Sequence, residues 1–350
     1  MSDKLVLEAL KGNKTNKVPV WFMRQAGRCL PEYRAIKETM ATYDMFRTPK
    51  IATEVTLQPL KRFDIDAAIV YADILHIPDA LGCELSFVKG DGPKFAHTVK
   101  SEKDLGLLES RFENMAQVQS ELSFVGETLS GVKPQLEDYR TLIGFCGSPW
   151  TVASYVVEGG STKTFFETKK LMMTQPKVFH RLMELLTKTT IPYLEMQVAA
   201  GAEVIQLFES WGGSALSPNE YKEFCLPYVK MIIDALSPKV PVIHYVNKSA
   251  GILDEVLSIE SAGFGVDWSQ KLTNVIKHPG LNGRAIQGNL DPLYLYTDHD
   301  TLKSQVSDVL EQAKQHEGGY IFNVGHGFTP QTPIDSIKSV VDQVHAFNRC

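Results

Sequence analysis

The feature that most constrains this chain is a series of short, unbroken apolar runs, each followed by a stretch of helical periodicity. The runs fall at 18–24, 66–73, 141–147, 203–210, 241–247, 263–268, 285–290 and 320–325. They do not alternate apolar with polar residues, so both faces of each strand must be buried, as in a parallel sheet covered by helices. Start signals mark several of the helices. Ser217-Pro218-Asn219-Glu220 reads as an N-cap, a proline in the first turn and a capping-box glutamate. Thr332-Pro333-Ile334-Asp335 opens the last helix in the same way, and Ser161 is expected to cap a helix after Gly159-Gly160. Eight strand–helix units in 350 residues predict a single-domain (β/α)8 TIM barrel over residues 1–350. The largest insertion lies between the second and third strands, with a hairpin at 83–88 and 94–99 turned by Gly90-Asp91-Gly92. The rival, an open doubly wound sheet, lacks a G-x-G-x-x-G after the first strand.

Composition narrows the function. A net charge of -5 gives no basic surface for nucleic acid, so any anion must be bound by locally concentrated positive charge. No stretch has the length and apolarity of a signal peptide core or a membrane span, so the expected location is cytoplasmic, away from the membrane. Five widely spaced cysteines without a C-x-x-C point to reduced thiols rather than disulfides or structural zinc.

In such a barrel the C-terminal strand ends form the site. Those ends carry Arg24-Gln25-Ala26-Gly27-Arg28, Asp73, Phe145 and Gly147-Ser148-Pro149-Trp150 with Tyr155 beyond. Further along come Phe208-Glu209-Ser210, His244, Asp267, Asn289 and His326. No His/Cys cluster has metal-ligand spacing, no lysine lies within a strand for a Schiff base, and no G-x-S-x-G elbow occurs. Two arginines in one loop suit a substrate with several carboxylates, and Gly27 gives that loop freedom to approach it. An aspartate at the mouth can accept N–H donors and stabilise a developing cation. Each residue also has a bland reading. Arg24 and Arg28 could be ion-pair partners of Glu32, Asp73 a helix cap, Tyr155 a core residue and His326 a satisfied loop histidine.

Taken in order, the segments become more specific than any one of them. Residues 19–28, Leu30-Pro31-Glu32-Tyr33-Arg34, Leu57-Gln58-Pro59-Leu60, Tyr71-Ala72-Asp73-Ile74-Leu75 and Ala80-Leu81-Gly82 closely resemble uroporphyrinogen decarboxylases. So do Gly144-Phe145, residues 147–150, residues 155–160, Phe208-Glu209-Ser210-Trp211 and Asn323-Val324-Gly325-His326-Gly327. The resemblance implies a homodimeric barrel that needs no cofactor or metal and converts uroporphyrinogen III to coproporphyrinogen III by removing carboxyl groups from four acetates. It implies Arg24, Arg28 and Asp73 as the catalytic set. Gln25, Ala26, Phe145, Tyr155, Phe208, Ser210 and His326 would join them in binding the tetrapyrrole. An arginine, here Arg28, would be the family's proton donor. A guanidinium is too weak an acid for that task near neutral pH, so a substrate carboxyl, a water or His326 remains open. Cys29 replaces the family's usual aromatic residue, which would either change the packing or expose a thiol beside the arginine loop. The competing functions are a corrinoid-dependent methyltransferase, which would need a zinc site, and a tetrapyrrole-binding protein without catalysis.

Overall fold

Seven of the eight apolar runs are parallel strands in the computed structural model, which describes residues 4–88 and 90–349. They are β1 (Ala67–Ile69), β4 (Thr141–Gly147), β5 (Val204–Glu209), β6 (Val242–Val246), β7 (Gly263–Val266), β8 (Ala285–Gln287) and β9 (Tyr320–Ile321). They form one curled sheet in the order β1-β4-β5-β6-β7-β8-β9. Each neighbour is parallel, so helices must cross over between successive strands and bury the outer face. Every residue of these strands is buried except Phe208, which is partly open.

The first run, 18–24, is the exception. It forms no strand, yet it lies between the two ends of the sheet. Phe322 N–H donates to Pro19 O at 2.8 Å, and Asp66 N–H donates to Val20 O at 2.8 Å. Proline at 19 has no N–H to give, and the N–H of Val20 goes to the Asp66 carboxylate at 2.7 Å rather than to a backbone carbonyl. A regular ladder therefore cannot form here. Inside the sheet the same segment is tied by a polar chain. Trp21 Nε1 donates to Gln287 Oε1 at 2.9 Å, and Gln287 Nε2 donates to Gln206 Oε1 at 3.2 Å. All three side chains are buried, so each bond removed would leave an unsatisfied polar group in the interior.

The insertion between β1 and β4 holds the two-stranded hairpin of β2 (Leu85–Val88) and β3 (Gly92–Phe95). It is shorter than the sequence pattern indicates. The Ser217 capping box is present, with Ser217 and Glu220 each bonding the other's backbone N–H. The other two caps are not. Thr332 turns back to accept from Thr329 N–H, and the final helix, Ile334–Ala346, starts after Pro333 without a side-chain cap. The helix after Gly160 opens only at Phe166, leaving Ser161 free to line a cavity. No helix among the described residues is long and apolar enough to cross a membrane.

Asp66, the residue that holds Val20, also accepts from His345 Nε2 at 2.9 Å, with Asp64 at 3.7 Å from the other ring nitrogen. The Asp66 hydrogen bond and the two carboxylates hold the His345 imidazole above its ordinary value, outweighing its burial. A raised histidine contributes stability that is complete below the free value near 6.5 and is lost as pH rises through the folded value. His345→Gln is therefore expected to cost about 1 kcal/mol more at pH 5.5 than at pH 8.5, measured by denaturant unfolding at the two pH values.

Candidate functional site

At the C-terminal ends of the strands lies a cleft of two connected chambers. The inner one, about 270 Å3, is lined by Met23, Ile69, Phe145, Phe208, Ser210, Tyr245 and His326, among others. The outer one, about 520 Å3, is lined by Arg28, Cys29, Tyr33, Phe87, Tyr155, Ser161 and Trp211. Arg24, Ala26, Tyr71, Asp73 and Ile74 line both, so they form the shared wall. A wider hollow at the other end of the sheet is lined by charges that already have partners, Glu203 with Lys4 and Lys133, Lys11 with Glu8 and Lys239 with Glu195. Its Arg284 is spent on the carbonyls of Leu257, Ile259, Gly280 and Leu281.

The arginine loop is built as a rigid bracket. Arg24 takes a left-handed φ of 62°, a conformation that costs a non-glycine residue of order 1 kcal/mol and needs support from its surroundings. Gln25 supplies that support. Its Oε1 accepts from Phe22 N–H at 2.9 Å and its Nε2 donates to Ala67 O at 2.9 Å on β1. Gln25 is thus fully buried with its amide used internally, and it lines neither chamber, contrary to its expected place among the substrate contacts. The sequence assigned the unusual backbone to Gly27; the structure puts it at Arg24, where it swings the side chain into the cleft. Arg34 braces the other end, donating to the carbonyls of Arg28 and Cys29, each at 3.1 Å. Cys29 is buried, not exposed, and burial pushes its thiol up to about 11, so it stays neutral.

Glu32 does not neutralise these arginines. It makes a two-pronged bond with Arg62, at 2.6 and 2.9 Å. Among the described residues neither Arg24 nor Arg28 has a salt-bridge partner, and both are exposed to the cleft. Two unpaired guanidinium groups beside a concave apolar surface make a receptor for carboxylates.

Asp73 faces them from the loop after β1. Its Oδ1 accepts from Leu75 N–H at 2.9 Å, a local turn rather than a helix cap, since the N-cap of the short helix His76–Pro78 is Leu75 and has no side-chain cap bond. Its Oδ2 has no hydrogen-bond partner among the described residues. Burial pushes its carboxyl up to about 6, opposed by the Leu75 N–H and by the charge of Arg24. The group is thus mostly ionised at neutral pH, with one oxygen free to accept. The inner walls are apolar: Phe145 and Phe208 meet edge to face at 5.6 Å, and Phe208 meets Tyr245 at 5.8 Å. His326 completes that chamber, held below its ordinary value by burial and by Arg24, and hence neutral at pH 7. Tyr155 stands in the outer chamber, where burial raises its phenol. Ser210 is set by a buried carboxylate beneath it. Glu209 accepts from Gly212 N–H at 2.8 Å, Trp211 N–H at 3.2 Å and the Thr151 hydroxyl, while Ser210 N–H donates to Thr151 Oγ1.

Of the other strand-end residues, His244 is fully buried in β6, and Asp267 accepts from Lys248, Ser249 and Ser269 N–H groups. Asn289 donates to the Asp267 and Gln270 carbonyls. None of these three lines the cleft. Among the cleft residues to which sequence reasoning gave no site role are Tyr71, Tyr245 and Trp211. Tyr245 was within reach, because it is the register partner of Phe208 and so shares its face.

The uroporphyrinogen decarboxylase (URO-D) family model matches residues 1–347. The uroporphyrinogen decarboxylase of Vesicomyosocius okutanii subsp. Calyptogena okutanii is 40% identical over 98% of both chains. That of Hydrogenovibrio crunogenus is 41% identical over 93% of this chain and 91% of its own. Among solved structures, a methyltransferase from Methanosarcina mazei superposes with a TM-score of 0.79 at 18% identity. It covers 97% of this chain and 96% of its own, a likeness of fold.

Gly327 abuts Arg24: a Cβ there would lie 2.4 Å from Arg24 Cδ and 2.5 Å from Cγ. Gly327→Ala should displace the guanidinium and weaken its hold on Asp73. The Asp73 carboxyl is then expected to titrate above its wild-type position near pH 6, and higher still in Arg24→Gln, as followed by carbon-13 NMR of labelled aspartate.

Proposed function

We infer the working of the cleft from one premise: the chain belongs to the uroporphyrinogen decarboxylase family, and its function is the decarboxylation of uroporphyrinogen in porphyrin biosynthesis. The observation that carries the mechanism is Asp73, with a free carboxylate oxygen on the wall between two chambers and unpaired arginines beside it. Losing CO2 from an acetate leaves an electron pair that needs a sink. A pyrrole protonated at a ring carbon is such a sink, so no cofactor is required. The bond from the methylene to the carboxylate breaks, its electron pair enters the cationic ring, and CO2 departs. The exocyclic methylene then gains a proton to become methyl, and the ring carbon gives its proton back.

Asp73, ionised, accepts pyrrole N–H groups and stabilises the ring cation in surroundings too apolar to screen it. Arg24 reaches both chambers and steadies the reacting acetate. Arg28, which lines the outer chamber, grips a substrate carboxylate. Phe145 and Phe208 exclude water around the ring, and Ser210, Tyr155 and His326 fix side chains by hydrogen bonds. The four acetates of uroporphyrinogen III would be treated in turn, yielding coproporphyrinogen III.

The architecture fits this reading as a closed (β/α)8 barrel of one domain, with residues 19–21 standing in for an eighth stave between β9 and β1. The family's homodimer would cover the exposed Trp268, Leu293 and Tyr296 near the mouth. A cytoplasmic location accords with a biosynthetic role.

Anaerobic incubation with uroporphyrinogen III, followed by oxidation and chromatographic counting of carboxyl groups, tests the activity; a methyltransferase or a mere carrier would leave the count unchanged. Asp73→Asn keeps the shape and removes the charge, and is expected to lower kcat by about 100-fold or more. For the wild type, kcat/KM should fall as pH drops below about 6, where the Asp73 carboxyl takes up a proton. Normal turnover by Asp73→Asn would refute the role.

A further inference from the structure

His76 is a buried histidine three residues beyond Asp73, and its polar contacts are unusual. Its Nε2 accepts from the backbone N–H of Asp73 at 3.0 Å. The ring proton therefore sits on Nδ1, which is buried and has no hydrogen-bond acceptor among the described residues. The ring is boxed by aromatic groups. Phe124 meets it edge to face at 4.9 Å and Phe46 at 5.3 Å, and Phe46 in turn packs on Tyr71 at 4.5 Å. Arg47 lies beyond, over the far ring of this stack, 4.9 Å from the Phe124 centroid. A side chain kept here for packing alone would be better as phenylalanine, which has no N–H to strand. What the imidazole adds is one acceptor, aimed at the backbone of the residue whose carboxylate faces the cleft.

We propose that His76 is a positioning residue for the decarboxylation, fixing the Asp73 backbone so that Oδ2 points at the substrate ring. The Asp73 loop is held by two bonds that meet on this residue: its N–H goes to His76, and its Oδ1 receives Leu75 N–H. With both made, the carboxylate has one rotamer and one free oxygen. Loss of the His76 acceptor leaves a buried N–H without a partner, and the loop is free to turn until that N–H finds one. The carboxylate turns with it, and a misplacement of even about 1 Å at a reacting group can cost 100-fold. Protonated, the imidazole would be a donor at both nitrogens and could not serve. Burial, aided by the charge of Arg47, holds it down to about 3 and so keeps it neutral at working pH.

The inference rests on the role given to Asp73 above, and the test separates the two. The full chain is assayed anaerobically with uroporphyrinogen III as wild type, His76→Phe and His76→Gln, with Tm recorded for each. His76→Phe keeps the aromatic packing and removes the acceptor. Its kcat is expected to fall about tenfold or more, while KM, governed by the arginines, stays within about threefold. His76→Gln places Oε1 where Nε2 was and should recover most of the rate. A His76→Phe enzyme that turns over like wild type overturns the proposal, as does a folded His76→Gln that is as slow as His76→Phe. Should His76→Phe fail to fold, His76→Gln decides alone: near-normal kcat sustains the proposal, and slow turnover by the folded variant refutes it. A wild type that releases no CO2 would instead defeat the reading of the whole cleft.

Discussion

The structure turns on keeping three charges of a cleft unneutralised by one another's direct contact. Arg24, Arg28 and Asp73 are each held by their backbone or by neighbours, and none is tied in a salt bridge. Left to themselves, flexible arginines would find the nearest carboxylate. Here Glu32 is already engaged by Arg62, and Glu209 by backbone and hydroxyl donors beneath the cleft. The strain at Arg24, the internal use of Gln25 and the bracing by Arg34 all serve the same end. They hold separated charge ready, so that a substrate bearing carboxylates outside and N–H groups inside completes the pairing.

The apolar walls set the strength of that pairing. Phe145, Phe208 and Tyr245 lower the local dielectric, which raises the Asp73 carboxyl toward neutrality and strengthens its attraction for a ring cation. The two effects oppose each other. Arg24 and the Leu75 N–H tip the balance, leaving Asp73 charged at neutral pH yet close enough to titration to be sensitive to its neighbours.

Much of this was legible in the chain itself. Unbroken apolar runs gave the parallel strands, because a strand covered on both faces has no room for alternation. The strand ends then located the charged cleft residues Arg24, Arg28 and Asp73 and the aromatic pair Phe145 and Phe208. What escaped was decided by hydrogen bonds between distant segments. The first run looks like the others, but Pro19 and the Asp66 side chain divert its bonds from a ladder. Thr332 and Ser161 carry the letters of helix caps, but Thr332 bonds Thr329 and Ser161 lies before the helix begins. Gln25 has the composition of a ligand contact and is consumed as a brace. His76 carries no motif at all; only the folded loop brings its Nε2 to the Asp73 N–H.

The sequence by itself determined the order of strands, the class of fold and the set of charged and aromatic groups gathered at one end, since hydrophobic periodicity and chain order suffice for these. Tertiary structure alone decided which of those groups are free. Whether an arginine faces a ligand or an acid, or a glutamine faces a cavity or a carbonyl, depends on partners tens or hundreds of residues away, and no local pattern encodes that choice.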